Sequence, residues 1–182
     1  MIICICGKSG SGKSTISNYL VKEYNAIHID IDKIGHKAHN DEIVKRNIIN
    51  TFGTQILTNN TIDRKKLREI VFSNNLEMKK LENITWNYME KEIDKIIYNN
   101  KDKLIILDWL LLPKTKYLKQ ANLKILINTP YETRKERILK RDNITERDFD
   151  LREKASINYN ENDFDYIFNT NDIENIRKLV KL

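Results

Sequence analysis

The chain has 182 residues, of which 40% are hydrophobic and 32% are charged, with five Gly and two Pro. This length fits one domain, or one domain with a small insertion, and the composition excludes collagen-like, Pro-rich and disordered classes. Lys and Arg number 32 against 26 Asp and Glu, for a formal charge of +6. That excess favours anionic partners such as phosphates, nucleotides or nucleic acid, but the basic residues are scattered and do not select one of them.

Five short apolar runs, each of a length suited to a strand, alternate with longer amphipathic segments. They lie at 1–6, 26–31, 103–107, 123–127 and 166–168. Strands separated by helical segments are typical of a parallel sheet with helices packed on it. The sequence therefore predicts an α/β fold built on a five-stranded parallel sheet.

Seven segments have apolar residues at helical spacing, at 14–24, 41–52, 63–72, 76–99, 131–141, 145–158 and 172–181. The stretch 37–99 holds three of these helices and no predicted strand, which indicates a helical insertion beside the sheet. Residues 1–36 and 100–182 then form the core, in one compact unit with the insertion. The polar pair of helices at about 131–158 predicts a mobile flap, whose second helix begins at the cap-like segment Thr145-Glu146-Arg147-Asp148.

Both cysteines, Cys4 and Cys6, lie in the first apolar run, where alternate residues share one face of a strand. This placement argues against a disulfide or a zinc site.

The N-terminus lacks the pattern of a signal peptide, and the apolar stretch at 104–112 is interrupted by Asp108 and is too short to span a bilayer. We expect a cytoplasmic protein with no membrane partner.

A glycine-rich motif of the form G-x-x-x-x-G-K-S directly follows the first strand and precedes the first helix. Its residues are Gly7, Lys8, Ser9, Gly10, Ser11, Gly12, Lys13, Ser14 and, one position further, Thr15. Such a loop turns successive backbone N–H groups toward phosphate oxygens, and the helix adds its positive end. We expect Lys13 to reach the β- and γ-phosphates of ATP and Ser14 to offer its hydroxyl to Mg²⁺. The GTPase motifs D-x-x-G and N-K-x-D are missing from suitable places, which favours a small-molecule kinase.

Two carboxylates, Asp30 and Asp32, end the second predicted strand, at positions that share one face of a strand. In open α/β sheets, ligands bind at this carboxyl edge. An acid there can accept a proton from a substrate hydroxyl as it attacks the γ-phosphorus. We expect Asp32 to be catalytic and Asp30 to support it at the substrate.

Over nearly its whole length the sequence resembles the dephospho-CoA kinase family. The resemblance rests on the glycine-rich loop, on the segment from Ile29 to His36, which is similar to the family's I-D-A-D-x-I-A-H/R, and on Phe52-Gly53. The segment 62–72 is similar to the family's D-R-x-x-L-x-x-x-V-F. The resemblance implies a three-layer α/β/α fold of the P-loop kinase type. It also implies phosphorylation of the ribose 3′-hydroxyl of dephospho-CoA by ATP with Mg²⁺, the last step of CoA biosynthesis.

The resemblance also implies roles for single residues. Asp32 matches the catalytic aspartate, and His36, Arg64 and Leu67 match positions that bind the acceptor. In the lid, the family's R-x-x-x-R falls on two arginines, and a late D-x-x-x-N segment supplies a residue beside the adenine of ATP. These residues are Arg137, Arg141 and Asn169. The implied partner is a small molecule and not a nucleic acid, and the implied assembly is a monomer or a weak homo-oligomer.

Some positions depart from the family pattern. Trp86-Asn87 stands in place of a His-Pro pair, the segment 109–113 departs from P-L-L-x-E, and Ser156 stands in place of a Gln. Trp86 and Trp109 either reshape the acceptor pocket or pack in the core, and core packing is the more common role. Two alternatives therefore stay open: a nucleoside or nucleotide kinase with an altered acceptor pocket, and a weakly catalytic nucleotide-binding regulator that binds RNA or DNA.

Overall fold

The computed structural model describes residues 1–38, 40–154, 156–169 and 173–179. Its strands are, in chain order, β1 (Ile2–Cys6), β2 (Ile27–Asp30), β3 (Leu57–Thr58), β4 (Thr61–Ile62), β5 (Ile105–Asp108), β6 (Leu123–Ile127) and β7 (Tyr166–Phe168). Its helices are α1 (Lys13–Tyr24), α2 (Ile31–Ala38), α3 (Glu42–Phe52), α4 (Arg64–Ser73), α5 (Asn75–Asn99), α6 (Lys116–Gln120), α7 (Tyr131–Asp142), α8 (Glu146–Lys154) and α9 (Ile173–Leu179).

The chain divides into two compact units, one formed by Met1–Asp30 with Asn100–Leu182 and the other by Ile31–Asn99. The division follows Asp30 because Ile31 already begins α2, which packs on α5 within the second unit. The predicted boundary lies after residue 36, in a chain predicted to form one compact unit.

A five-stranded parallel sheet forms the first unit, in the order β2-β5-β1-β6-β7. The central strand β1 pairs with β5 on one side and with β6 on the other, so that Ile3 lies beside Ile106 and Leu123. Its residues from Ile3 to Cys6 are fully buried. β-Branched and other apolar side chains suit this position because helices cover both faces of a parallel sheet. The predicted sheet is confirmed.

Helices pack on both faces of the sheet. On one face, Ile16 and Leu20 of α1 and Ile176 of α9 join Ile3 and Ile5 in a single apolar cluster. On the other face, Tyr117 and Leu118 of α6 are buried, and the Sγ of Cys4 lies 3.6 Å from the carbonyl oxygen of Tyr117. Both cysteines are buried and free. This arrangement makes the three-layer α/β/α fold.

The second unit is mainly helical, with a core of Val44, Ile48, Phe52, Ile56, Leu67 and Val71. The prediction that 37–99 contains no strand is wrong, because β3 and β4 form a short antiparallel hairpin. Each of these strands has only two residues. They are too short to leave an alternating pattern in the sequence.

All seven predicted helices begin within one residue of the start of a described helix, and α2 and α6 were not predicted. The predicted helix 145–158 is shorter, because α8 ends at Lys154, and residue 155 lies outside the described residues. Residues 172, 180 and 181 of the last predicted helix also lie outside them. Within the described ranges, no helix is both long and apolar enough to cross a membrane.

Candidate active site

The glycine-rich loop joins the end of β1 to the start of α1, as predicted. Gly10 and Gly12 have positive φ angles of 78° and 96°, which glycine adopts at no steric cost. The N–H of Ser11 donates to the carbonyl oxygen of Lys8 at 3.1 Å and closes the turn. Across the part of the chain described, no side chain caps α1 at Gly12. The first N–H groups of α1 therefore suit an anion.

Lys13, Ser14 and Thr15 occupy the first turn of α1. The Nζ of Lys13 lies 3.4 Å from the carbonyl oxygen of Lys8, so the side chain folds back over the loop. Ser14 and Thr15 are exposed at this end of the helix. The hydroxyl of Ser11 is buried and, among the described residues, has no hydrogen-bond partner. A buried hydroxyl of this kind is usually satisfied by a water or a ligand.

Asp108 is a site residue that the sequence interpretation missed. It ends β5 and is only 5% exposed, and the hydroxyl of Ser17 lies 3.0 Å from its Oδ2. Ser17 lies one turn after Lys13 in α1, so the carboxylate sits beside the start of that helix. The signal was present, since Asp108 interrupts an otherwise apolar run. In the sequence alone, this interruption argues only against a membrane span.

The prediction that Asp30 and Asp32 share one face of a strand is wrong. β2 ends at Asp30, which pairs in register with Asp108, whereas Asp32 lies in the first turn of α2 and is exposed. The helix begins at Ile31 because Ile31, Ile34 and Ala38 recur at helical spacing and are buried. Asp30 and Asp32 therefore belong to different elements.

The first helix of the predicted flap, α7, packs directly on the glycine-rich loop. The hydroxyl of Thr129, just before α7, donates to the carbonyl oxygen of Ser11 at 2.8 Å. The Nη1 of Arg137 donates to the carbonyl oxygen of Gly10 at 3.3 Å. The structure thus brings Arg137 together with the loop.

Arg141, unlike Arg137, is bound to a carboxylate within the flap. It is exposed, and its Nε donates to Asp142 at 2.7 Å, while Arg152 of α8 also binds Asp142 at 2.7 Å. The hydrogen bond from Arg141, together with that from Arg152, lowers the pKa of Asp142 to about 2. Although the i, i+4 spacing aligns Arg137 and Arg141 along α7, their guanidinium groups have separate partners in this structure.

The second helix of the flap, α8, also reaches the loop. Glu153 accepts from the Nζ of Lys8 at 2.6 Å and from the Nη1 of Arg134 at 2.7 Å. The hydrogen bonds from Arg134 and then from Lys8 lower the pKa of Glu153 to about 2. Neither Arg134 nor Glu153 was singled out from the sequence, because each sits in a charge-rich helix without a motif of its own.

Tyr159 follows the flap and lies against the start of the loop. Its hydroxyl accepts from the N–H of Gly7 at 3.1 Å and donates to the carbonyl oxygen of Leu110 at 2.9 Å. Burial raises the pKa of this phenol, so it is a neutral donor and acceptor. Tyr159 lines a cavity of about 200 Å³, whose wall is completed by Lys8, Leu126, Ile127, Asn128, Thr129, Pro130, Tyr131 and Arg134.

The other predicted site residues belong to elements outside the loop. His36 of α2 and Arg64, the first residue of α4, are exposed, and Leu67 is buried in the core of the helical unit. Asn169 directly follows β7 and is exposed. Trp109 is 6% exposed and belongs to the core, and Trp86 is half-buried. The predicted roles of these residues at a substrate stay predictions.

The oxygen groups near the loop suit Mg²⁺. Ser14 provides an exposed hydroxyl and Asp108 a buried carboxylate, both of which are hard ligands. In the described ranges, no group of three or more His, Cys, Asp or Glu residues forms a metal cluster. Mg²⁺ needs no such cluster, since it commonly binds through one or two protein oxygens, waters and substrate phosphates.

The sheet order and the loop between β1 and α1 define a P-loop fold of the kinase type. A solved structure from Thermus thermophilus matches it with a TM-score of 0.81 at 24% identity, over 99% of this chain and 95% of that one. A dephospho-CoA kinase from Campylobacter jejuni matches with a TM-score of 0.62 at 24% identity, over 98% and 96% of the two chains. A shikimate kinase from Bacteroides thetaiotaomicron matches with a TM-score of 0.51 at 13% identity, over 100% of this chain and 99% of that one.

Sequence comparison identifies the family within this class. The family model described as Dephospho-CoA kinase matches residues 1–172. The dephospho-CoA kinase of Aquifex aeolicus is 37% identical over an alignment of 185 positions, gaps included. The alignment covers 98% of this chain and 93% of that protein. That of Fusobacterium nucleatum is 37% identical over 145 residues, or 79% and 75% of the two chains. The chain belongs to the dephospho-CoA kinase family.

Proposed function

We propose that this protein transfers the γ-phosphoryl group of ATP to the ribose 3′-hydroxyl of dephospho-CoA, forming CoA in the last step of its biosynthesis. The observation that carries the proposal is the family match over residues 1–172, together with the relatives named dephospho-CoA kinase. The glycine-rich loop, the uncapped start of α1 and the kinase-type sheet order support it.

The loop and the first turn of α1 bind the triphosphate in this proposal. The segment from Gly7 to Thr15 surrounds the phosphates, and the ammonium group of Lys13 neutralises charge on the β- and γ-phosphates. Ser14 and Asp108 would hold Mg²⁺. Mg²⁺ supplies charge neutralisation for the phosphoryl group in transfer.

The helical unit binds the acceptor. Asp32 accepts the proton of the attacking hydroxyl and so acts as the general base. His36, Arg64 and Leu67 bind or orient the acceptor, as does Asp30, the last residue of β2; Leu67 does so from the core, by supporting the α4 surface. The exposure of Asp32 leaves its carboxylate accessible to a substrate.

The flap at about 131–158 acts as a lid. Arg137 already contacts the loop and stabilises the transferring phosphoryl group, and Arg141 joins it after exchanging Asp142 for phosphate oxygens. Closing the lid excludes water that would hydrolyse ATP. Asn169, after β7, contacts the adenine. The enzyme acts in the cytoplasm, where its two free cysteines stay reduced, as a monomer or a weak homo-oligomer.

The test is an assay of ADP release with ATP and Mg²⁺, run with dephospho-CoA and with a panel of nucleosides and nucleotides. Activity with dephospho-CoA alone supports the proposal. Activity with a nucleoside or nucleotide instead identifies an altered acceptor pocket. ATP binding without turnover on any acceptor leaves the nucleotide-binding regulator, which a salt-resistant complex with RNA or DNA would establish. The buried position of Trp109 favours core packing over a change of acceptor.

The Asp32→Asn variant tests the general base. We expect turnover to fall by roughly 10²- to 10⁴-fold, because an amide does not accept the proton, while ATP affinity stays nearly unchanged. Asp30→Asn, two residues earlier, is the matched variant and should lose less activity. Wild-type turnover by Asp32→Asn would remove Asp32 from the mechanism.

A further inference from the structure

A partly buried ion network joins three separate segments at the glycine-rich loop. Glu153 of α8 accepts two hydrogen bonds from Arg134 of α7, from Nη1 to Oε2 at 2.7 Å and from Nη2 to Oε1 at 3.0 Å. Its Oε1 also lies 2.6 Å from the Nζ of Lys8, within the loop. One carboxylate therefore holds a cation of the loop and a cation of the lid at the same time.

Arg134 is committed to the protein itself. It is 5% exposed, its Nε donates to the carbonyl oxygen of Thr129 at 3.0 Å, and its Nη1 also lies 3.5 Å from the carbonyl oxygen of Ser9. With four of its five N–H groups engaged, it has little capacity left for a phosphate. Arg134 therefore affects nucleotide binding indirectly, by holding Thr129, Ser9 and Glu153 in place.

Arg134 is also connected to the loop through Thr129. Thr129, which accepts from Arg134, donates through its hydroxyl to the carbonyl oxygen of Ser11 at 2.8 Å. A Cβ at Gly10 would lie 2.8 Å from the carbonyl oxygen of Arg134, so the loop backbone packs directly on the start of α7. The carbonyl oxygens of Ser9 and Ser11 thus both face groups in this network.

We propose that Glu153 is a positioning residue for nucleotide binding, which fixes Lys8 and Arg134 and, through them, the loop from Gly7 to Ser11 before the nucleotide binds. The inference rests on the proposed use of ATP and extends it. A glycine-rich loop loses conformational entropy when it orders around phosphates, and ordering it in advance reduces that cost. The low pKa of Glu153 keeps the carboxylate charged at physiological pH.

Glu153→Gln tests the proposal, because the amide keeps the size of the side chain and removes its charge. Glu146→Gln is the matched control: Glu146 lies on the same helix and pairs with Lys135 of α7 at 2.8 Å, but it is 69% exposed and is not bound to the loop. Binding of ATP and ADP is measured by calorimetry without acceptor, and kcat and KM are measured with dephospho-CoA.

We expect Glu153→Gln to raise the Kd of both nucleotides and the KM for ATP about tenfold, with kcat within about twofold of wild type. Glu146→Gln should keep wild-type values. Lys8→Met removes one of the two cationic partners of Glu153, and it should raise the Kd less than Glu153→Gln does. Its effect should not add to that of Glu153→Gln, because the two residues act in one network. If Glu153→Gln does not fold, Lys8→Met alone should still show the weaker binding.

Unchanged nucleotide affinity in a folded Glu153→Gln variant would overturn the inference and leave Glu153 a role in stability only. Tighter binding would also overturn it, because the carboxylate would then compete with phosphate for Lys8. Both results presuppose a wild-type protein that binds ATP. A wild-type protein without nucleotide affinity would instead refute the proposed function.

Discussion

Gly10 shows how a single residue can be tied to both the backbone geometry and the packing of the loop. Its φ of 78° is a conformation that L side chains rarely adopt, and a Cβ there would also lie 3.0 Å from the side chain of Ile138. Gly53, at the end of α3, has nearly the same φ of 79°, but the nearest atom to a Cβ would be in the Gln55 side chain at 3.7 Å. An alanine at either position would strain the backbone, but only at Gly10 would its Cβ also clash with neighbouring atoms.

We expect Gly10→Ala to abolish or strongly weaken ATP binding, because relief of the close contact with α7 displaces the loop. Gly53→Ala should be destabilised by about 1–3 kcal/mol from backbone strain, yet should bind ATP normally. Urea unfolding gives the stability and calorimetry gives the affinity. Normal ATP binding by Gly10→Ala would show that the loop tolerates displacement from α7.

Helix α8 begins with a reciprocal cap, as its sequence predicted. The hydroxyl of Thr145 accepts from the N–H of Asp148 at 3.2 Å, and the carboxylate of Asp148 accepts from the N–H of Thr145 at 3.1 Å. In the helical unit, Asp41 caps α3 by accepting from Ile43 and Val44. Each cap satisfies N–H groups that the first turn of a helix leaves without an internal partner.

Thr145→Ala should weaken the start of α8 by about 1 kcal/mol, which corresponds to about fivefold faster amide exchange if the helix opens locally. Asp41→Ala is the comparable change in the other unit and should accelerate exchange in α3 instead. Hydrogen exchange followed by peptide mass spectrometry measures both. If α8 exchanges as slowly as β1 in the wild-type protein, the mobile-flap hypothesis is refuted.

The stability of the whole molecule at acidic pH depends in part on carboxylates of the flap. Glu153 beside Arg134 and Lys8, and Asp142 beside Arg141, have pKa values lowered to about 2 from ordinary values of 4.5 and 3.8. A carboxylate with a lowered pKa in the folded state stabilises the fold above the unfolded-state pKa. That stabilisation is lost as the pH falls through the folded-state value.

The free energy of unfolding should therefore decrease from about pH 4.5 toward pH 2. For Glu153 the decrease amounts to at most about 3.5 kcal/mol, since one pKa unit corresponds to about 1.4 kcal/mol, and solvent screening of this partly exposed group makes it smaller. Urea denaturation at several pH values between 7 and 2 gives the profile of the wild-type protein and of Glu153→Gln. A variant profile as steep as the wild-type profile would show that Glu153 does not contribute to it.

Local patterns in the sequence were sufficient to predict the sheet, most helices, the glycine-rich loop between β1 and α1, and the family. The strands are short apolar runs with clear ends, and the loop has a motif whose spacing follows directly from phosphate binding. These features depend on residues close to one another in the chain. The family comparison then confirmed what the motifs of the loop and of the segment after β2 indicated.

Only the tertiary structure decided which charged side chains meet. Lys8 and Glu153 are 145 positions apart and meet because α8 packs beside the loop, whereas Ser17 and Asp108 are 91 positions apart and meet because α1 packs on β5. The start of α2, which separates Asp32 from the strand of Asp30, depends on burial of Ile31 and Ile34. Sequence periodicity specifies local structure and the buried face, whereas ion pairs between distant segments form only when packing brings those segments together.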